Sequence, residues 1–104
     1  MAHPPPPINV GKVVKTKHPD GKTKHHSISD EIHISQAGNK RKLIYLQKIR
    51  MHNGGEELRL GYYIIGKKPA MRGRWVWGQY ATFLPASDFK RIIKIAKRKG
   101  WLAL

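Results

Sequence analysis

Apolar and polar residues alternate most clearly between Leu43 and Ile65, and this alternation predicts two β-strands. In the first strand, apolar residues at odd positions run from Leu43 to Met51. In the second, apolar residues at even positions run from Leu58 to Ile64. Asn53-Gly54-Gly55 lies between them, and Asn-Gly is the strongest short-range signal for a hairpin turn. The segment is therefore predicted to form a β-hairpin with one apolar face.

A two-residue turn centred on the Asn-Gly pair sets the predicted register of this hairpin. It places Ile49 opposite Leu58, and the other apolar pairs then fall on the same side. It also places Arg50 opposite Glu57 on the other side, a pair that contributes about 0.2–1 kcal/mol. Moving the turn one residue towards the C-terminus would keep these faces but set Arg50 opposite a second arginine, so we predict the first register.

Shorter strands are predicted before this hairpin. Residues 8–26 are β-branched and rich in lysine, and His18-Pro19-Asp20-Gly21 is a type I turn signal, so this segment is predicted to be a basic hairpin. Ile28, Ile32 and Ile34 share one parity, as expected of a short strand with one buried face. Both segments would join the central hairpin in an antiparallel sheet.

A cationic loop and an aromatic strand are predicted after the central hairpin. Residues 66–73 begin and end with glycine and are expected to be an exposed, mobile tip. Residues 74–83 are predicted to form a strand with Trp75 and Trp77 on one parity and Val76 on the other. Neither face is polar, so the pattern leaves open whether the tryptophans lie in the core or are displayed.

Residues 85–99 are predicted to form a helix that begins near a proline suited to its first position. The residues of its apolar stripe recur at helical spacing: Phe89, Ile92, Ile93 and Ala96. Gly100 is expected to end the helix in the left-handed conformation, which lets Trp101 fold back onto the last turn.

Strands followed by one amphipathic helix predict an α+β fold. We expect an antiparallel sheet of about four to five strands with one C-terminal amphipathic helix packed on one face. Four consecutive prolines predict residues 1–7 to be an extended proline-rich arm, and residues 8–104 form a single basic domain. The element order is similar in outline to that of small single-strand-binding domains that act as dimers, so a homodimer is left open.

The net charge of the chain indicates which class of molecule it binds. The chain holds 21 Lys and Arg against 6 Asp and Glu, which gives a formal net charge of +15. The surplus is even, with ten basic against three acidic residues in residues 1–52 and eleven against three in residues 53–104. A small domain needs a net charge of only about 2–8 for solubility, so we expect a polyanionic partner, with nucleic acid (DNA or RNA) as the first candidate.

Three groups of side chains are candidates for that contact. The helix carries cations opposite its apolar stripe, the loop after the central hairpin carries four more, and the hairpin itself carries cations beside a tyrosine that could stack on a base. In that order, the candidates are Lys90, Arg91, Lys94, Lys97 and Arg98; Lys67, Lys68, Arg72 and Arg74; and Lys48, Arg50, Arg59 and Tyr63. Binding through them would be directed largely at the phosphate backbone.

The alternative function is a protein-interaction module, an inhibitor or adaptor that docks on an acidic protein partner. No catalytic residue and no cofactor is predicted. A metal-dependent nuclease would have to use Glu57-Leu58-Arg59, where arginine stands in place of the usual lysine. His25 and His26 would point to opposite faces of a strand, so no metal site is predicted either.

The remaining expectations concern compartment. The chain has no cysteine, which excludes disulfides and thiolate metal sites. It has no apolar run near the roughly 20 residues that span a bilayer, and residues 1–7 lack the apolar stretch of a signal peptide. We therefore expect no membrane contact and an intracellular protein, cytoplasmic or nucleoid-associated.

Overall fold

The computed structural model describes residues 3–78 and 81–102. These residues form a five-stranded antiparallel sheet, in which each strand pairs with the next along the chain, followed by one helix. The strands are β1 Val13–Lys17, β2 Thr23–Gln36, β3 Asn39–Arg50, β4 Glu56–Ile65 and β5 Trp75–Trp77. A 3₁₀ turn spans Pro69–Met71, and the helix α1 spans Ala86–Arg98. The predicted α+β fold is confirmed.

The predicted basic hairpin is formed by β1 and the first part of β2. The amide of His18 donates to the carbonyl of Lys22 at 3.0 Å and closes the turn. β2 then continues through the alternating isoleucines as one strand of 14 residues, with a register shift against β3 between Ile28 and Asp30. This β-bulge lies just beyond the residues that pair with β1, which occupies the first part of β2, whereas β3 pairs with β2 from Ser27 onwards.

α1 covers one face of the sheet, which we call the helix face. Its core consists of aliphatic residues from β2, β3 and α1: Ile32, Ile44, Leu46, Ile92 and Ala96. The helix runs along β2, because Asp88 in its first turn accepts a hydrogen bond from the amide of Ala37 and Lys99 at its end pairs with Asp30. The start of α1 therefore lies at the turn between β2 and β3.

The apolar stripe of α1 is rotated from its predicted position. The buried residues of the helix are Asp88, Ile92 and Ala96, whereas Phe89 is 47% exposed. The rotation follows from Asp88, whose carboxylate is buried because it binds both the amide of Ala37 and the guanidinium of Arg91. The predicted ending is confirmed, since Gly100 has a φ of 79° and the amide of Trp101 donates to the carbonyl of Ala96 at 3.0 Å.

The register predicted for the central hairpin is wrong by one residue. Ile49 lies opposite Glu57, and Met51 pairs with Gly55 around a three-residue loop in which Gly54 has a φ of 90°. A slip of one residue turns every side chain of a strand to the other face. Leu58, Leu60 and Ile64 consequently lie on the helix face, and Arg59 and Tyr63 lie on the opposite face with the buried Ile65.

The other face of the sheet is covered by residues 3–9, and we call it the arm face. Tyr45 of β3 and Tyr63 of β4 meet there with their ring centres 5.0 Å apart. Trp77 of β5 lies over Gly61, where a Cβ atom would overlap the indole ring. Both tryptophans of β5 are half-buried on this face, while Gln79 and Tyr80 of the predicted 74–83 strand lie outside the described residues.

Candidate nucleic-acid interface

The cations of this protein have few acidic partners. Among the described residues, ion pairs join Lys48 to Glu56 at 3.1 Å, Arg91 to Asp88 at 3.1 Å, and Lys99 to Asp30 at 3.2 Å. All 21 Lys and Arg belong to the described residues, so these three pairs leave 18 cations without an acidic partner. The remaining positive charge has to be balanced by solvent ions or by a bound polyanion.

The predicted basic side of α1 is present, with one exception. Exposed cations follow the solvent side of the helix: Lys90, Lys94, Lys97 and Arg98. Arg91 differs, because its guanidinium donates to the carboxylate of Asp88 and to the carbonyl of Ser35. Arg91 thus ties α1 to β2, and we name the other four the helix ridge. Phe89 and Ile93 line a shallow hollow beside this ridge.

The loop between β4 and β5 has a defined shape that presents its cations outward. The amide of Gly66 donates to the carbonyl of Arg74 at 2.9 Å, which closes the loop at its base. Gly66 sits against the backbone of Met71, where a Cβ atom would overlap the carbonyl oxygen. The four predicted cations of this loop are all exposed: Lys67, Lys68, Arg72 and Arg74.

The third predicted group, on the central hairpin, is split between the two faces of the sheet because of the register of β4 against β3. Lys48 and Arg50 lie on the helix face of β3, and Lys48 is paired with Glu56. Arg59 and Tyr63 lie on the arm face. The structure therefore does not bring these four residues together, and of the four only Arg50 is both exposed and without an acidic partner among the described residues.

Arg59 belongs to a half-buried polar network on the arm face. Its Nε and Nη2 atoms donate to Oε1 of Gln47 at 2.9 and 2.6 Å, and its guanidinium lies 4.8 Å from the centre of the Trp77 ring. Burial lowers the pKa of Arg59, and Gln47 in turn donates to Glu31 at 3.0 Å. Burial also raises the pKa of Tyr63, whose hydroxyl donates to Asn9. These bonds hold the sheet and the arm together.

Three further cations lie at the start of β3, where the sequence pattern predicted no contact. Lys40, Arg41 and Lys42 lie beside the end of β4, because Lys42 pairs with Ile64. Lys42 donates to the carbonyl of Phe83 at 2.7 Å, and burial lowers its pKa. The signal for this cluster in the sequence is the run of three consecutive cations itself.

The exposed cations at this end of the sheet form one group, which we name the cationic end. It is made of the first residues of β3 and the loop after β4: Lys40, Arg41, Lys67, Lys68, Arg72 and Arg74. The start of α1 lies at the same end of the sheet, since Asp88 binds the amide of Ala37. The helix ridge therefore begins at the same end of the sheet as the cationic end.

A groove of about 860 Å³ lies within the cationic end. Its apolar lining comes from β4, the loop and β5, and includes Tyr62, Ile64 and Met71, while Arg41, Lys67 and Lys68 line it with charge. The ring of Tyr62 lies against Gly78, where a Cβ atom would overlap it. An apolar groove with cationic walls suits a planar base that is attached to a phosphate.

Histidines gather at the opposite end of the sheet. The ring of His52 lies 5.3 Å from that of His26 and 6.2 Å from that of His18. His26 is buried and His25 is exposed, as expected for neighbours on a strand. Within residues 3–78 and 81–102, no group of three His, Asp or Glu side chains is arranged to hold a metal ion, and Glu57 of the nuclease hypothesis is exposed.

Comparisons of the chain with models of known protein families, with curated proteins and with solved structures give no significant match. No helix in the described part of the chain is long and apolar enough to cross a bilayer.

Proposed function

We propose that this protein binds nucleic acid by contacting its phosphates. The observation that supports this function best is the set of 18 cations that have no acidic partner within the described part of the chain, six of which form the cationic end. Lysine and arginine side chains that displace condensed counterions from phosphates supply most of the affinity of sequence-independent binding. The helix ridge extends the same surface along α1.

The groove in the cationic end favours single-stranded over duplex nucleic acid. A base in a duplex is stacked on both sides, whereas an unpaired base can turn into a groove and pack on an aromatic ring for about 1–3 kcal/mol. Ile64 and Met71 supply apolar surface beside Tyr62, and Arg41 and Lys67 stand where they could hold the adjoining phosphates. A competition titration against single-stranded DNA, duplex DNA and duplex RNA is expected to rank the single strand first.

Matched substitutions test the cationic end directly. The site variant carries Lys67→Ser, Lys68→Ser and Arg72→Ser, and the control carries Lys15→Ser, Lys17→Ser and Lys22→Ser in the exposed β1–β2 hairpin at the other end of the sheet. Both variants lose the same charge, so they weaken long-range attraction equally. The site variant is expected to bind a random oligonucleotide about tenfold or more weaker than the control.

The outcome is measured by fluorescence anisotropy, with the melting temperature of each variant as a check of folding. An equal loss of affinity in the two variants would contradict a localised site and leave only diffuse electrostatic attraction. A loss that depends on oligonucleotide sequence would instead point to contacts with the bases.

A protein partner is the second candidate, and one observation favours it. The apolar side chains of β4 that the register turns towards the helix face lie beyond the reach of α1, so Leu58, Leu60 and Ile64 remain 43%, 40% and 42% exposed. An apolar patch beside unpaired cations is what an acidic protein could cover. A purified protein that is free of nucleic acid and does not bind random oligonucleotides would favour this candidate.

A further inference from the structure

The N-terminal arm makes two specific hydrogen bonds to aromatic side chains of the sheet. The indole Nε1 of Trp75 donates to the carbonyl of Pro4 at 2.8 Å, and the hydroxyl of Tyr45 donates to the carbonyl of Pro7 at 2.7 Å. His3 adds an edge-to-face contact, with its ring centre 5.7 Å from that of Trp75. The proline segment is thus bound by side chains far from it in the sequence.

The spacing of the two carbonyls matches a polyproline II helix. Proline fixes φ near −65°, and a polyproline II helix has three residues per turn. Pro4 and Pro7 are three residues apart, so their carbonyls point to the same side of such a helix and can meet two donors on one surface. Aromatic side chains that donate to proline carbonyls are a general way of recognising such segments, because the stiff ligand loses little entropy on binding.

The proline segment is attached independently of the rest of the arm. Asn9 is 5% exposed, its amide donates to Glu31 at 2.7 Å, and its side-chain oxygen accepts from Tyr63. The chain is therefore anchored at Asn9, and the residues before it hold the sheet through the contacts of Trp75 and Tyr45. Pro4 and Pro5 are exposed and Pro6 and Pro7 are half-buried. This segment can leave the sheet without breaking the anchor.

We propose that the surface formed by Trp75 and Tyr45 is a binding site for polyproline II segments, which the protein's own arm occupies and which a proline-rich segment of another chain can take. A tethered ligand competes at an effective concentration in the millimolar range. An external segment therefore binds when it carries the same spacing of carbonyls and is either abundant or tethered nearby, as in a complex.

The experiment uses the full chain with a weakened arm. In the variant with Pro4→Gly, Pro5→Gly, Pro6→Gly and Pro7→Gly the carbonyls remain, but the arm becomes flexible and pays more entropy to dock. The indole N–H resonance of Trp75, identified with Trp75→Phe, is expected to move away from its wild-type position. A peptide with the sequence of residues 3–10 should return it towards that position, with half-saturation at about 1 mM or below.

A peptide of the same length with glycine in place of the prolines is the control and should leave the resonance unchanged. The proposal is overturned if the glycine substitutions do not move the Trp75 resonance, if the proline peptide has no effect at about ten times that concentration, or if both peptides act equally. A second measurement uses the wild-type protein. A spin-labelled proline peptide in excess should broaden the Trp75 resonance but not that of Trp101 on the helix face, and equal broadening would also overturn the proposal.

Discussion

Beneath α1 the core of the sheet is made of aliphatic side chains, whereas beneath the arm buried aliphatic residues such as Leu43 and Ile49 are joined by hydrogen-bonded polar and aromatic groups. The stability of the helix face therefore comes mainly from apolar area removed from water, an effect that has no directional requirement. The arm face depends on partners, because each buried polar group that loses its hydrogen bond costs free energy. The two faces should respond differently to substitution, and the following predictions use that difference.

The largest effect is expected on the helix face. Ile44 is fully buried between β3 and α1, so Ile44→Ala should leave a cavity and reduce the free energy of unfolding by about 2–5 kcal/mol. Ile64→Ala, on the same face but 42% exposed, should cost less than about 1 kcal/mol. Urea denaturation gives both values. Equal costs would show that α1 does not cover the sheet as described.

A smaller effect with a different signature is expected on the arm face. Gln47→Leu keeps the volume but removes the acceptor of Arg59 and the donor to Glu31, and should cost about 1–3 kcal/mol. Adding Arg59→Met removes the orphaned guanidinium, so the double variant should be more stable than the sum of the single effects predicts. Strict additivity in this double-mutant cycle would mean that the two side chains are not coupled.

The histidines beside the β3–β4 loop predict a dependence on pH. Partial desolvation by its neighbours, together with the charges of Lys24 and the neighbouring histidines, lowers the pKa of the exposed His52 below its usual value of 6.5, so the unfolded chain binds more protons than the folded one as pH falls through that range. Stability should fall as pH is lowered from about 7 towards 5.

The matched variants for this prediction are His52→Gln and His25→Gln. The first removes the group whose pKa is lowered, so its melting temperature should depend less on pH than that of the wild-type protein. The second alters an exposed histidine that points to the other face and should leave the dependence unchanged. A larger effect of His25→Gln would locate the titrating group elsewhere.

The difference between the faces also explains which features could be predicted. The helix, its end at Gly100 and the succession of strands along the chain follow from local patterns, and all three are present in the structure. The register of β4 could not be obtained that way, because β3 is apolar on both faces and its alternation does not choose between them: Ile44 and Leu46 point one way, Leu43 and Tyr45 the other. The two-residue turn assumed at Asn53-Gly54 then placed Leu58 opposite Ile49, whereas the three-residue loop of the structure places Glu57 there.

The alternation of apolar and polar residues cannot predict a buried face whose polar side chains are hydrogen-bonded to one another. Arg59 looked like a surface cation, and its burial depends on Gln47, which is 12 residues away in the sequence. Only the loop residues of the cationic end could be predicted, for a similar reason. The four loop cations are local in sequence, but their proximity to Lys40 and Arg41 depends on the pairing of Lys42 with Ile64.

The proposed phosphate binding is tested most directly by the salt dependence of affinity for a random oligonucleotide. If the cationic end neutralises about six phosphates, log affinity should fall linearly with log salt concentration, with a slope of about −4 on a single strand and −5 on duplex DNA. A slope near zero, or no binding at low salt, would contradict the account.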